Sequence, residues 1–397
     1  MRVLHVIPSV PEVRGGTSQA VLDMVKALRA DNIDAEIATT NDNGNDLLDV
    51  PLQKCIEYKQ VPVWFFHRFS PKARSVREYA FSGQFTQWLW HNISTYKLVH
   101  VHALFSYPST MTMAIARYRN LPYIVSPHGL LCEWSLQQST RKKQSYLKLI
   151  EQANLNHSQA IHFTSQQEQQ EVSQLGLSAP SFVLPLGLTP PKLIPDARSR
   201  LRQRFNIPAD EPVILFLSRL HYKKGLDYLI PALSKLTHHR FTFILAGSGT
   251  PDYEAQIQSL LISTGLCDRT HVVGFVEGET KDILIQGSDL FALTSHSENF
   301  AVAVLEALTV GLPVLVTPGV ALASVVSQHQ LGYVPDLDVF AIANALDAYL
   351  SDPQAAKDMG NRARQLILEK YTWKKIVSQM QHVYTNILQH KPFPTLL

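Results

Sequence analysis

The chain of 397 residues, 45% hydrophobic and 17% charged, is too long for one ordinary domain and about right for two, and its composition excludes disorder and a long coiled coil. A net charge of +3 is too small to mark a nucleic-acid-binding protein. Three widely spaced cysteines, Cys55, Cys132 and Cys267, form neither a disulfide framework nor a zinc motif and suit a reducing compartment.

Residues 3–7 read as a strand that breaks at Pro8, and 17–30 place Ala20, Val21, Met24, Val25 and Leu28 on one helical stripe. Strands are expected at 35–39, 98–101 and 123–125, with a helix at 110–119 before the last. Such alternation implies a parallel sheet covered by helices on both faces. A Pro-rich stretch over 185–195 follows, and then the pattern restarts. Residues 213–218 are almost all apolar, as a strand buried on both faces demands. After them come a basic loop, a helix at 226–236, a strand at 241–246 and a turn at Gly247-Ser248-Gly249. Strands at 271–275 and 289–293, a helix over about 300–310 and a strand at 313–317 complete the second half. The expected fold class is α/β: two facing Rossmann-like, doubly wound domains with an interdomain cleft. Ligands of such sheets bind outside the carboxyl ends of the strands.

The most informative stretch runs from Ser295 to Leu308 and contains Glu298 and Glu306 with seven residues between them. With a helix starting at Asn299, both carboxylates lie on one side, up to about 12 Å apart along the axis. The amides of the first helical turn then favour an anion between them. A nucleotide sugar has that layout, with hydroxyls at each end and phosphates in the middle. The plainer alternative makes Glu298 a helix cap and Glu306 half of a buried ion pair. A second loop, Ser218-Arg219-Leu220-His221-Tyr222-Lys223-Lys224-Gly225, ends a strand. Its Arg219 offers a planar fork of donors and its Lys224 a point charge, both suited to a diphosphate.

These two segments, the second continuing into Ala307-Leu308-x-x-Gly311-x-Pro313-Val314, resemble glycosyltransferase family 4, retaining enzymes of the GT-B fold. The similarity extends to Gly247-Ser248-Gly249, Val273-Gly274-Phe275-Val276 and Tyr371-Thr372-Trp373. In the first half it is carried by Gly15-Gly16-Thr17 and Ser126-Pro127-His128-Gly129. The resemblance implies an acceptor-binding domain over 1–185 and a donor-binding domain over 186–371, with a closing helix at about 372–390 that returns to the first. It implies that Arg219 and Lys224 hold the donor's diphosphate and that Glu306 binds the ribose. Glu298 would contact the transferred sugar, with the amides of Asn299 and Phe300 completing its cradle, and Val276 would sit near the base. Gly15 and Gly16 would let their loop approach the ligand, and His128 would lie beside the reacting carbon. The expected activity is metal-independent transfer of a sugar, with retention, from a nucleoside-diphosphate sugar to a hydroxyl of a carbohydrate or lipid-linked acceptor, by same-face substitution and without a cofactor. Two departures stand out: Leu186 precedes Gly187 where many members carry Asn, and Ala301 stands where Gly is frequent.

A sugar-nucleotide 2-epimerase of the same fold and a non-catalytic sugar-nucleotide-binding protein are the alternatives. A dehydrogenase is disfavoured because no G-x-G-x-x-G follows the first strand. Asp336-Leu337-Asp338 has the form of a metal motif, but Asp338 is better placed as an N-cap. His100 and His102 share a strand face as a metal pair would, without an evident third ligand. They are expected to line the acceptor side or to satisfy local hydrogen bonds. His238 and His239 should end a helix, and 41–46 should form a turn.

No signal peptide or membrane span is expected, which places the chain in the cytoplasm, with membrane contact at most peripheral, on the inner face. The +3 hides an imbalance. Residues 54–148 hold 13 Lys/Arg against 3 Asp/Glu, whereas 1–53 hold 4 against 8. Trp64, Phe65, Phe66, Phe69, Trp88 and Trp90 fall within the basic segment. It suits either a solvated surface above core aromatics or docking on an anionic bilayer.

Overall fold

The computed structural model describes residues 1–11, 15–138 and 140–393, with the side chains of residues 75 and 140–142 outside that description. The chain divides into two compact units, Met1–Leu188 with Trp373–Leu397, and Thr189–Thr372. The break therefore falls slightly beyond the expected 185/186, and the closing helix belongs to the first unit.

In the first unit an eight-stranded sheet runs, in spatial order, Ser181–Val183, Ala160–Phe163, Tyr123–Ser126, Leu98–His102, Arg2–Val6, Asp34–Thr40, Val61–Phe66 and Cys55–Tyr58. All neighbours are parallel except the edge strand Cys55–Tyr58, which pairs antiparallel with Val61–Phe66. Every residue of Leu98–His102 is buried, including two histidines. The register explains where they go: His5 lies opposite His100 and His102 opposite Ser126. Partners across parallel strands, and alternate residues along one strand, share a face. A polar row is thus assembled at the carboxyl ends of central strands.

Helix Gly16–Ala30 buries the expected stripe of Ala20, Val21, Met24, Val25 and Leu28. The closing helix Trp373–Leu388 buries Trp373, Ile376, Val377, Met380, Val383, Tyr384 and Ile387, a repeat of three and four that makes one apolar face. Each fully buried aliphatic side chain of this kind contributes about 1.5–3 kcal/mol. Among the aromatics of the basic segment, Phe65 and Phe66 are core residues, while Phe69 and Trp90 are exposed. Trp64 and Trp88 are partly buried against the core cluster.

The second unit is a six-stranded, all-parallel sheet in the order Thr270–Gly274, Thr242–Ala246, Val213–Leu217, Leu290–Leu293, Val314–Val316, Gly332–Tyr333. Val213–Leu217 and Leu290–Leu293 are buried throughout, as helices on both faces require. Strand order reverses between these two. No helix among the described residues is long and apolar enough to cross a membrane.

Candidate functional site

Helices that follow the two strands at a reversal point leave on opposite faces and open a crevice at the carboxyl ends. Both motif loops of the second unit follow those strands. Arg219 is exposed and makes no ion pair among the described residues. Lys224 Nζ reaches Glu298 Oε1 at 2.5 Å, so the two loops meet through their charged side chains. Backbone bonds stitch them further: the His296 amide donates to the Lys223 carbonyl at 2.9 Å, and Thr294 Oγ1 donates to the Gly225 carbonyl at 2.8 Å. Gly225 has φ 68°, and a Cβ there would run into the Thr294 carbonyl, so this close approach requires glycine. His221 is held below its ordinary pKa, first by burial and then by Arg219, Lys224 and Lys223. The loop is electropositive.

Glu298 corrects one expectation. Its amide donates to the Gly319 carbonyl at 2.8 Å and its carbonyl accepts from the Ala321 amide at 3.0 Å, so the segment is extended. The chain then turns through Ala301 in the left-handed region, φ 52°, and the helix begins only at Val302. Glu298 and Glu306 therefore do not share a helix face. The pairing with residues 319–321 occupies the backbone groups that an earlier helix start would need. The helix Val302–Thr309 has no side-chain cap; of its first-turn amides, that of Val304 turns back to the Ala301 carbonyl at 2.9 Å, and the earlier ones have no i−4 carbonyl within the helix. Asn299 is half-buried and Phe300 buried in the preceding turn.

Glu306 meets Lys281 of the helix Gly278–Gly287, Nζ to Oε1 at 2.6 Å, with both side chains about a quarter exposed (30% and 26%). Lys281 was not singled out from sequence; it lies 25 positions away on another helix, and no local pattern marks it. Val276, half-buried, occupies the short loop between strand Thr270–Gly274 and that helix. The site residues of the second unit thus form two ion-paired stations, Lys224–Glu298 and Lys281–Glu306, with Arg219 and Val276 on adjoining loops.

The remaining predicted residues lie in the first unit. Gly15, φ 92°, is the N-cap of the helix that Gly16 begins; the adjacent residues 12–14 lie outside the described residues. His128 follows strand Tyr123–Ser126 in the left-handed region, φ 52°. Buried Glu168 ties down its loop, accepting from the Gly129 amide at 2.6 Å and from the Thr164 amide at 2.9 Å. His128 Nε2 lies 3.0 Å from His102 Nδ1. The third histidine missing from the pair His100 and His102 is His5, and ligand atoms of the three are mutually close. Both nitrogens of His100 are already bonded, one to Tyr384 Oη and one to Ser126 Oγ, each at 2.7 Å. His100 is thus fully satisfied, whereas His5 Nε2 and His128 Nδ1 are buried without a hydrogen-bond partner among the described residues.

Asp338 caps its helix, accepting from the Phe340 and Ala341 amides. Where a turn was expected at 41–46, strands Asp42–Asn43 and Asp46–Leu47 form a small hairpin whose Asp42 is paired with buried Arg68. His238 and His239 follow the helix Leu226–Ser234, and both bond Asp347. The three cysteines form no disulfide among the described residues. A pocket lined by Arg198, Pro212, Asp289, Pro313 and Tyr349 opens at the opposite, amino ends of the strands, where Asp289 is already bound to Arg198 and Arg202.

Residues 197–366 match the family model described as Glycosyl transferases group 1, and residues 15–187 match that of a Glycosyl transferase 4-like domain. The chain belongs to this glycosyltransferase family. An uncharacterized glycosyltransferase of Methanocaldococcus jannaschii is 31% identical over 191 residues, 48% of each chain. A GDP-mannose-dependent alpha-(1-6)-phosphatidylinositol monomannoside mannosyltransferase of Mycolicibacterium smegmatis is 29% identical over 262 residues, 63% of this chain and 66% of that one. The chain spans about half the length of several curated relatives that it matches. Among solved structures, a sucrose-phosphate synthase from Thermosynechococcus elongatus superposes with a TM-score of 0.79 at 20% identity, covering 98% of this chain and all of that one. Anabaena Alr3699/HepE in complex with UDP-glucose gives 0.76 at 20% identity over 97% of this chain and all of that one. The family member described above therefore has the GT-B fold.

Proposed function

We propose that the protein is a retaining glycosyltransferase that moves a sugar from a nucleoside-diphosphate sugar to an acceptor hydroxyl, without a metal ion. The observation that carries this reading is the Lys224–Glu298 pair at the strand reversal, with Arg219 on the same loop as Lys224. An ammonium group has three donors. One engages Glu298 and the others are available to the diphosphate, while the Arg219 fork takes phosphate oxygens. Glu298 would accept from sugar hydroxyls, and Glu306, oriented by Lys281, from the ribose. Gly15 and Gly16 let the backbone come near the ligand. In the transfer step the anomeric C–O bond to phosphate breaks as the acceptor oxygen bonds the same face of that carbon. The leaving phosphate takes the acceptor's proton. Arg219 and Lys224 stabilise the charge that develops on it, the work a divalent cation does elsewhere.

The acceptor falls to the first unit, with His128 near the reacting carbon. A polysaccharide or lipid-linked acceptor suits a surface that exposes Trp90 stacked on Tyr118, with Arg119 over the Trp90 ring, and such a surface can rest on the inner face of a membrane. The side chains of Arg141 and Lys142 lie outside the described residues. The test is a panel of UDP-, GDP- and ADP-sugars followed for nucleotide release. Release that is lost in Arg219→Ala and Glu298→Ala supports transfer. Interconversion of donor without release supports the epimerase, and binding without turnover supports a non-catalytic role.

A further inference from the structure

Five imidazoles, those of His5, His100, His102, His128 and His162, form two hydrogen-bonded chains in the first unit. In one, His162 Nε2 lies 2.7 Å from the Leu184 carbonyl, and His162 Nδ1 lies 2.7 Å from Ser126 Oγ. Ser126 Oγ lies 2.7 Å from His100 Nε2, and His100 Nδ1 lies 2.7 Å from Tyr384 Oη. A carbonyl only accepts, which assigns every proton of a neutral chain. Tyr384 donates to His100, His100 to Ser126, Ser126 to His162, and His162 to Leu184. Burial keeps these rings neutral: His162 is lowered to about 4 and His100 lies well below the ordinary value.

The second chain differs at its ends. His5 Nδ1 lies 2.9 Å from His102 Nε2, and His102 Nδ1 lies 3.0 Å from His128 Nε2. Ring centroids are 5.2 and 5.3 Å apart and the rings nearly parallel, at 13° and 18°. Since the nitrogens are much closer than the centroids, the rings meet end to end, as in-plane N–H···N bonds require. Both terminal nitrogens, His5 Nε2 and His128 Nδ1, are buried without a hydrogen-bond partner among the described residues. Burial lowers His5 and His128 to about 3 and His102 well below its ordinary range. A neutral chain of three rings has two states, with the free N–H at one end or at the other.

The ends are not equivalent. His5 is fully buried within a central strand, where an unsatisfied N–H is more costly than a lone pair. His128 sits in a loop at the carboxyl ends of the strands, where ligands of such sheets bind. We propose that His5 and His102 are positioning residues that hold His128 as its Nδ1–H tautomer, so that His128 presents a neutral hydrogen-bond donor to an oxygen of the ligand bound by this unit. That the ligand oxygen belongs to a sugar or phosphate rests on the glycosyl-transfer reading; the tautomer does not. The orphaned Nδ1 is the waiting donor, and an analogue lacking the accepting oxygen should be rejected.

Nitrogen NMR of the full-length protein with labelled histidine tests this, the His128 signals being identified by their loss in His128→Gln. The expected result is a protonated Nδ1 and an unprotonated Nε2 at neutral pH. His102→Leu should release that preference, and His102→Gln, whose amide can still donate, should restore it. In turnover of UDP-glucose, or of whichever donor the panel selects, His102→Leu should lower kcat about tenfold with KM changed less than about twofold, the loss of one oriented donor. A His128 protonated on Nε2, or a signal unchanged in His102→Leu, overturns the proposal. If no donor turns over while the NMR pattern holds, the transferase reading falls and the tautomer assignment stands. Thermal unfolding of each variant guards against misfolding, and His102→Gln provides the folded comparison.

Discussion

Lys224 Nζ lies 2.5 Å from Glu298 Oε1 with only 11% and 14% of the two side chains exposed, and this pair joins the two loops that flank the strand reversal. Removing one partner leaves a largely buried charge alone. Lys224→Ala should cost about 1.5–3 kcal/mol of stability, and a Lys224→Met, Glu298→Leu double variant should cost less than the sum of its parts. Donor turnover should fall about 10²–10³-fold in Lys224→Ala, since in the proposed reaction the ammonium would face developing charge. Urea unfolding and initial rates check both. A Lys224→Ala protein of full activity would remove this pair from the chemistry.

Lys281 and Glu306 are more open to solvent, so their pairing adds within about 1 kcal/mol to stability. Lys281 would orient the Glu306 carboxylate for ribose hydroxyls. Lys281→Met should raise the donor KM about tenfold and leave kcat within about threefold, the pattern of lost uniform binding. Equal falls in kcat and kcat/KM would point to a transition-state role instead.

Ala301 carries φ 52° at the turn into Val302–Thr309. A left-handed L-residue costs about 1–2 kcal/mol, and glycine gives back about 0.5–1 kcal/mol of that through chain entropy. Ala301→Gly should therefore be about 0.5–1 kcal/mol more stable and Ala301→Val less stable. Denaturant midpoints decide it, and a less stable Ala301→Gly protein would contradict this backbone assignment.

The five buried imidazoles set an acid limit. Their folded pKa values are lowered, to about 3 for His5 and His128, to about 4 for His162, and well below ordinary for His100 and His102. The unfolded chain binds protons that the folded one refuses. Stability is then complete above about pH 6.5 and falls on acidification, by up to about 1.4 kcal/mol per pH unit for each ring, until the folded values are reached. Urea midpoints at pH 7.5 and 5.5 should show a marked drop, with a smaller slope in His162→Asn. A flat profile would mean that the rings are not desolvated.

Much of this was legible in the sequence because it is local. The apolar run at 213–217, the stripe of Val21, Met24, Val25 and Leu28, and the Asp338 cap each follow from residues a few positions apart. The Arg219, Lys224 and Glu298 signals lay in loops that follow strands, and the Glu306 signal in the next helix, so they could be named. What escaped depends on contacts across the sheet or between distant helices. His5 joins His102 only through strand register, Tyr384 meets His100 across 284 positions, and Lys281 finds Glu306 from a separate helix. The helix start moved from Asn299 to Val302 because the 319–321 loop captures the Glu298 backbone, a competition that periodicity does not register.

In the proposed reading the second unit holds a nucleoside diphosphate through Arg219 and Lys224. Calorimetric titration of UDP, GDP and ADP into the whole chain decides this. At least one nucleotide should bind, and Arg219→Ala should weaken that binding about 50–100-fold, the worth of a charge-assisted pair of bonds. Absence of binding by all three, or an affinity unchanged in Arg219→Ala, would rule out a diphosphate site at these two residues.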